Sequence, residues 1–328
     1  MASRRALVAG AGLGLLPPLR PALAQTRPGA PSYPDRPVRV VVPYAAGGGN
    51  DILARIYGQK LSEALGQPFV IDNRPGASAV IGTESVIRAR PDGLTLLVHA
   101  SGPVLSEKGA GKPAYDLQSD LVPIAVLGAF PGMLLVRGDS PHRSVADLVA
   151  WLRANPARAN YGTGGTGFQL LGAYFGQRAG LALENIVYRS STEGITALIA
   201  DDVAFALSDP GPARAPVEGG RARPLAVTAA RRMDAYPEVP TMVEAGFPDF
   251  VVDYWIGLFA PPGLPEDILR RLHDEVRRAA ALPDVRQRLA LNSVEPDSRD
   301  PAAFARAVRA NAAFWIDVAQ RAGISLER

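Results

Sequence analysis

The sequence predicts two α/β lobes, each a parallel sheet covered by helices, followed by a helical tail. Three observations carry this. Strand-type and helix-type segments alternate β-α-β-α-β over residues 38–98, and such alternation pairs strands in parallel with helices on the sheet faces. The alternation restarts after Val122, and the pattern beyond Pro265 is helical.

Each element has a local reason. Residues 38–42 are a run of apolar β-formers and read as a buried strand. Over 50–65, Leu53, Ile56, Tyr57, Leu61 and Ala64 recur at helical spacing, and Gly66 is a stop. A short strand at 69–72, a turn at Asn73-Arg74-Pro75-Gly76, a helix over 78–89 and a strand over 94–98 complete the first set. The second set reads as strands at 124–127 and 133–136, a helix at 145–154, a strand at 159–161, a helix at 169–177, a strand at 185–188, a helix at 195–200, and strands at 203–207 and 225–228. A last long strand spans 253–263 and ends in Pro-Pro-Gly; helices follow at 266–282, 283–291 and 301–322. No Ser/Gly-rich linker separates the lobes. Residues 32–122 with 252–328 are assigned to one lobe and 123–251 to the other, with the cleft between them as the natural ligand site.

Residues 1–24 read as an export signal. Arg4 and Arg5 precede a short apolar stretch that ends in Pro17-Pro18, and Ala22 and Ala24 fit a cleavage site before Gln25. The paired arginines fit either the twin-arginine route or an ordinary secretory signal. The chain is expected in the periplasm, cleaved near Ala24. Its formal charge of +3 comes from 35 basic and 32 acidic residues. Arg4, Arg5 and Arg20 lie in the signal, so its removal leaves the two signs balanced at 32 each. No basic stripe remains to argue for nucleic acid. With no cysteine, the fold relies on packing alone and cysteine-type zinc is excluded. His99, His142 and His273 are too scattered to suggest a metal site. No cofactor is expected, and a monomer is.

Two glycine-rich loops follow strands and precede helices. In "PYAAGGGND" (43–51), Gly47, Gly48 and Gly49 let backbone N–H groups converge where the helix dipole favours an anion, with Asn50 or Asp51 as the cap. No Gly-Lys-Ser/Thr follows, so it is not a phosphate-binding Walker loop. A tight structural turn with a routine cap is the alternative. In "NYGTGGTGFQ" (160–169), Gly162, Gly164 and Gly167 match the dinucleotide spacing, but Tyr188-Arg189 stands where an acid for the ribose is needed. A second anion cradle reads better, with Thr163 and Thr166 hydroxyls added. His99 and Ser101, then Arg189, then Ser208 and Asp209 follow strands and complete a candidate pocket. Arg189 could fork onto a carboxylate, and Asp209 could accept from a hydroxyl or amine. Each of these is also compatible with a surface or capping role. No G-x-S-x-G, H-E-x-x-H or H-x-E with C-x-x-C pattern supports catalysis.

At this point the chain resembles the periplasmic solute-binding receptors of tripartite tricarboxylate transporters, the Bug proteins. The resemblance rests on "YPDRPVRVVVPYAAGGGND", "NRPGASAVIG", "PDGLTLL", "YDLQSDLVPI", "NYGTGGTG", "VPTMVEAG" and "WIGLFAPPG" and covers 33 to about 324. It implies a two-lobed periplasmic-binding fold of the type II, Venus-flytrap kind, which closes on a small carboxylate and serves membrane permease subunits. It implies that Tyr44, Ala45, Ala46, Gly47 and Gly48, with the loop Thr163, Gly164, Thr166 and Gly167, hold the carboxylate through backbone N–H groups. It also implies that Arg189, Ser208 and Asp209 line the variable end. The chain departs from the family after Gly167, where Phe168-Gln169-Leu170-Leu171 replaces a Ser/Thr-rich stretch, and at Val187-Tyr188-Arg189-Ser190. Phe168 therefore favours an apolar or aromatic acid. An exported hydrolase and a ligand-sensing subunit are the rival readings.

Overall fold

The computed structural model describes residues 33–101, 115–164, 166–297 and 299–323. The expected export signal lies outside them. Among the described residues no helix is long and apolar enough to cross a membrane.

The first sheet holds β1 (Val38–Val42), β2 (Phe69–Asn73), β3 (Thr95–Ala100), β4 (Val122–Pro131) and β10 (Asp253–Ala260), in the order β2-β1-β3-β10-β4. The second holds β5 (Met133–Arg137), β6 (Asn160–Thr163), β7 (Glu184–Val187), β8 (Phe205–Ser208) and β9 (Ala222–Val227), in the order β7-β6-β8-β5-β9. Both sheets are mixed rather than purely parallel. β10 runs against β3 and β4, and β5 runs against β8 and β9. The physical reason is connectivity: each reversed strand is the one on which the chain has just arrived from the other lobe.

Helices α1 (Gly49–Leu65), α2 (Val80–Ile87), α3 (Val145–Ala154), α4 (Thr166–Ala179), α5 (Ser191–Ile199) and α6 (Pro210–Glu218) follow or connect the strands. The tail is α7 (Glu266–Ala281), α8 (Pro283–Leu291) and α9 (Pro301–Ala322). α3 begins as its sequence dictates: Ser144 accepts from the Asp147 amide while Asp147 reaches back to the Ser144 amide. α6 has no counterpart in the sequence reading, because "PGPARAPVE" carries three prolines and looks like a loop. Pro at the helix start is compatible with a helix because its missing N–H is one of the first-turn orphans.

The lobe boundary expected at 122/123 lies instead at Gly132. β4 belongs to the first sheet along its whole length, and the second begins at Met133. The tail is also shared rather than confined to the first lobe. Phe304 and Val308 of α9 pack with Val41, Leu97, Trp255 and Phe259, whereas Ala312, Trp315, Val318 and Ala319 pack with Leu170, Leu171 and Phe175 of the second lobe.

The two strand crossings are tied together. The Gly132 amide donates to the Thr228 hydroxyl at 2.7 Å, and the Thr228 amide returns to the Gly132 carbonyl at 2.9 Å. The Thr228 carbonyl accepts from the Val252 amide at 2.9 Å, and the Thr228 hydroxyl donates to the Val252 carbonyl. A Cβ on Gly132 would lie 2.5 Å from the Leu171 Cδ2 methyl, so a side chain at the crossing would have to push the end of Leu171 aside. Replacing Thr228 by Val keeps the shape but strands the buried Gly132 amide and Val252 carbonyl. Thr228→Val is expected to cost about 1–3 kcal/mol in urea denaturation, with Thr228→Ser recovering most of it.

Candidate functional site

Strand pairing fixes where the ligand-facing edges lie. Met133, the first residue after the crossing, pairs with Ser208 at the end of β8; in the first sheet Asp253 pairs with Pro131 and Ile256 with Ala100 at the end of β3. The carboxyl ends of the parallel strands in both lobes therefore sit at the level of the crossings and flank the interlobe cleft, where ligands of such sheets collect. The junction is filled by aromatic rings. Tyr254 stacks on Phe130 at 5.8 Å and lies 4.9 Å from Phe168, and its hydroxyl donates to the Gly167 carbonyl at 2.9 Å.

On the first lobe, residues 45–48 form an exposed turn between β1 and α1. Gly48 is the N-cap and makes no side-chain cap bond. Asp51, one turn into the helix, accepts from the Gly47 amide at 2.9 Å and from Arg55 at 3.0 Å. Burial opposes its ionisation, but the hydrogen bonds from Arg55, Gly47 and Asn73 outweigh burial and hold the Asp51 carboxyl below its usual range. Asn73 continues the brace, accepting from Arg55 at 3.2 Å and donating to the Tyr44 carbonyl at 3.2 Å. The Gly47 amide is thus spent inside the protein and is not among the amides free to meet an anion. Among the described residues the Ala45 and Ala46 amides donate to no protein acceptor. One end of the Asn50 amide is buried without a partner. Turning the amide would present a donor there. Gly47 needs its identity for its φ of +86°; Gly48, at φ −79°, does not.

The second loop is glycine-rich for a different reason. A Cβ on Gly164 would lie 1.9 Å from the Ser191 amide nitrogen, so Gly164 lets the loop press against the start of α5. Thr163 is fully buried and donates to Asn185 at 2.9 Å, so its hydroxyl braces β6 against β7 and is not a free ligand donor. The Thr166 side chain lies outside the described residues. The first turn of α4, with Gly167 and Phe168, carries amides that lack intrahelical acceptors, as every helix start does.

His99 and Ser101 are corrected as well. Both are fully buried. His99 Nδ1–H donates to the Ala100 carbonyl at 2.8 Å, its Nε2 lies 3.1 Å from the Tyr115 hydroxyl, and its ring meets Tyr44 edge-on at 5.8 Å. Ser101 Oγ accepts from the Trp255 amide at 3.1 Å. His99 therefore supports Tyr44 from beneath, and with each group committed elsewhere the pair forms no nucleophile and base. Ser208 is buried too, its hydroxyl donating to the Asp209 carbonyl at 2.8 Å.

Arg189 is exposed; its amide donates to Glu193 at 3.1 Å, and its guanidinium makes no ion pair among the described residues. Asp209 keeps part of its surface open but is hemmed in by protein on most sides. Burial raises its carboxyl above the usual range, against hydrogen bonding from the Ser191 hydroxyl. The sequence reading missed Asp51 as a loop brace, Arg55, Asn73 and Tyr254. Only the Asp51–Arg55 pair, four residues apart, left a signal that could have been read. A cavity of about 640 Å³ lies elsewhere, between α4, the edge strand β7 and Ala322.

Two α/β lobes of like strand order joined by crossing strands define the class of two-lobed periplasmic binding proteins. The chain belongs to the tripartite tricarboxylate transporter family receptors, whose profile matches residues 53–324. It is 30% identical to the protein BugT of Bordetella pertussis, over 91% of this chain and 93% of that one. A Rhodopseudomonas palustris protein solved with adipate superposes with a TM-score of 0.80 at 32% identity, covering 89% of this chain and 99% of that one. MatC of R. palustris, solved with bound malate, gives 0.76 at 30% identity, covering 87% and 99%.

Burial pushes the His99 imidazole down to about 4. A histidine with a lower pKa folded than unfolded binds more protons when unfolded, so stability falls as pH drops from about 6.5 toward 4. The full effect is on the order of 3 kcal/mol. Denaturation midpoints compared across that window should drop more steeply for the wild type than for His99→Gln, which cannot titrate.

Proposed function

We propose that the chain is an extracytoplasmic receptor that captures a small carboxylate between its lobes and delivers it to the permease subunits of a tripartite transporter, acting as a monomer without turnover. The observation that carries this reading is the exposed turn at Ala45–Gly48. It sits on the cleft-side edge of its sheet, retains unspent amides, and is braced from behind by Asp51, Arg55 and Asn73. A carboxylate reaching from this turn to the first turn of α4 would bridge the lobes and stabilise the closed form by its greater affinity for that form. Malate and adipate in the related structures are acids of suitable size. Tyr44 and the part of Phe168 that Tyr254 leaves uncovered supply aromatic surface, which favours an apolar or aromatic body on the acid.

Calorimetric titration with carboxylates and with uncharged amides of the same shape tests the reading, which requires that the acids alone bind. A Cβ on Gly48 meets nothing closer than the Ala45 carbonyl at 3.7 Å, so Gly48→Val is expected to fold with an unchanged melting temperature and to lose detectable binding. Wild-type affinity in that variant removes this turn from the site. Gly164→Ala is expected to do the reverse of a clean binding mutant, lowering the melting temperature, because its Cβ has no room beside Ser191.

A further inference from the structure

The lobes also touch at a place that neither the crossing strands nor α9 supplies. Residues 291–295 follow α8 and are pinned to the first lobe. Glu295 exchanges two backbone hydrogen bonds with Ala129 of the edge strand β4, at 2.8 and 2.9 Å. Val294 is buried against β4 where Gly128 has no side chain; a Cβ there would lie 2.3 Å from the Val294 Cγ1 methyl. Three contacts reach from this anchored segment to the second lobe. The Leu291 carbonyl accepts from Arg214 of α6 at 3.2 Å. The Ser293 hydroxyl is within hydrogen-bonding reach of Tyr236, which packs with Met233 and Val239 of the second lobe. Glu295 pairs with Arg231, which follows β9, at 2.9 Å.

Ser293 is out of place for a plain helix end. α8 closes in a Schellman turn: the Ser293 amide donates to the Ala290 carbonyl at 2.9 Å, and the Val294 amide to the Leu289 carbonyl at 3.0 Å. The residue at Ser293 then takes a left-handed conformation, with φ +53°. Glycine or asparagine ordinarily stands there, because a Cβ crowds the backbone. Glycine would end the helix with less strain, but it has no hydroxyl to offer Tyr236.

We propose that residues 291–295 are a clasp that fixes the angle between the lobes, acting through Ser293 and Glu295 on one side and Arg214, Arg231 and Tyr236 on the other. α9 also joins the lobes, but by apolar packing, which has no preferred direction. Hydrogen bonds and ion pairs are short and directional, so contacts beside the edge strand resist rotation about the crossings. The clasp is built to yield, since the Arg231–Glu295 pair is exposed, and exposed pairs are weak and screened by salt. This inference concerns the lobe angle and does not depend on what the cleft binds. In a receptor that closes on its cargo, the clasp biases the equilibrium the cargo must shift.

The chain has no cysteine, so two introduced ones carry spin labels without competition. Ala64→Cys on α1 and Ala150→Cys on α3 are exposed helical positions, one in each lobe. Pulsed electron paramagnetic resonance distances between them are measured in this labelled parent at low salt and at about 0.5 M salt. The same distances are measured after adding Ser293→Gly, or Arg214→Ala together with Arg231→Ala. The parent at low salt is expected to give one narrow distance. In the double variant the share of other distances, relative to that one, should rise about tenfold. High salt should raise it about two- to fivefold in the parent. Ser293→Gly should widen the distribution while its melting temperature stays level or rises, a split that a residue serving only the fold would not give. Distributions in the folded variants that coincide with the parent's overturn the inference. If the variants do not fold, a parent distribution unmoved by salt overturns it alone.

Discussion

The architecture depends on one constraint: the chain leaves the first lobe at Gly132 and returns before Asp253, and Thr228 ties those two points together. Because each sheet admits one strand from the other lobe, each contains one reversed strand, and the orders β2-β1-β3-β10-β4 and β7-β6-β8-β5-β9 follow the same plan. The carboxyl ends of the parallel strands are thereby brought to the same level as the crossings. The turn after β1 is held by Asn73, which donates to the Tyr44 carbonyl, and the start of α4 by Tyr254, which donates to the Gly167 carbonyl.

The two loops use glycine for separate purposes. In the first loop a Cβ on Gly48 would meet nothing closer than the Ala45 carbonyl at 3.7 Å, while Gly47 supplies a positive φ and gives its amide to Asp51. In the second loop Gly164 is an internal packing requirement, forced by the backbone at Ser190–Ser191. Similar composition therefore hides different physics. The buried polar groups around the cleft, His99, Ser101, Thr163 and Ser208, are satisfied by the protein and hold the walls in place, which is the common fate of buried polar atoms.

Much of this was legible beforehand for residues whose signal is local. The periodicity over 50–65 with its Gly66 stop located α1, since apolar spacing and a helix stop act within a few residues. α6 was not legible, because its prolines imitate a loop and only packing against the second sheet reveals the helix. Nor could the ends of α9 be divided between the lobes: Phe304 and Trp315 are equally apolar, and what each touches is decided by the fold.

The sequence by itself determined the alternation of elements, the two glycine-rich turns, the family and hence the carboxylate-receptor class, because these reside in short contiguous stretches. Only the tertiary structure decided which polar side chains are free. Whether Thr163 faces a ligand or Asn185, and whether Asp209 caps its own helix or engages Ser191, depends on neighbours 22 and 18 residues away in the chain. Hydrogen bonds are directional and short, so one such neighbour suffices to remove a group from the site or to leave it there.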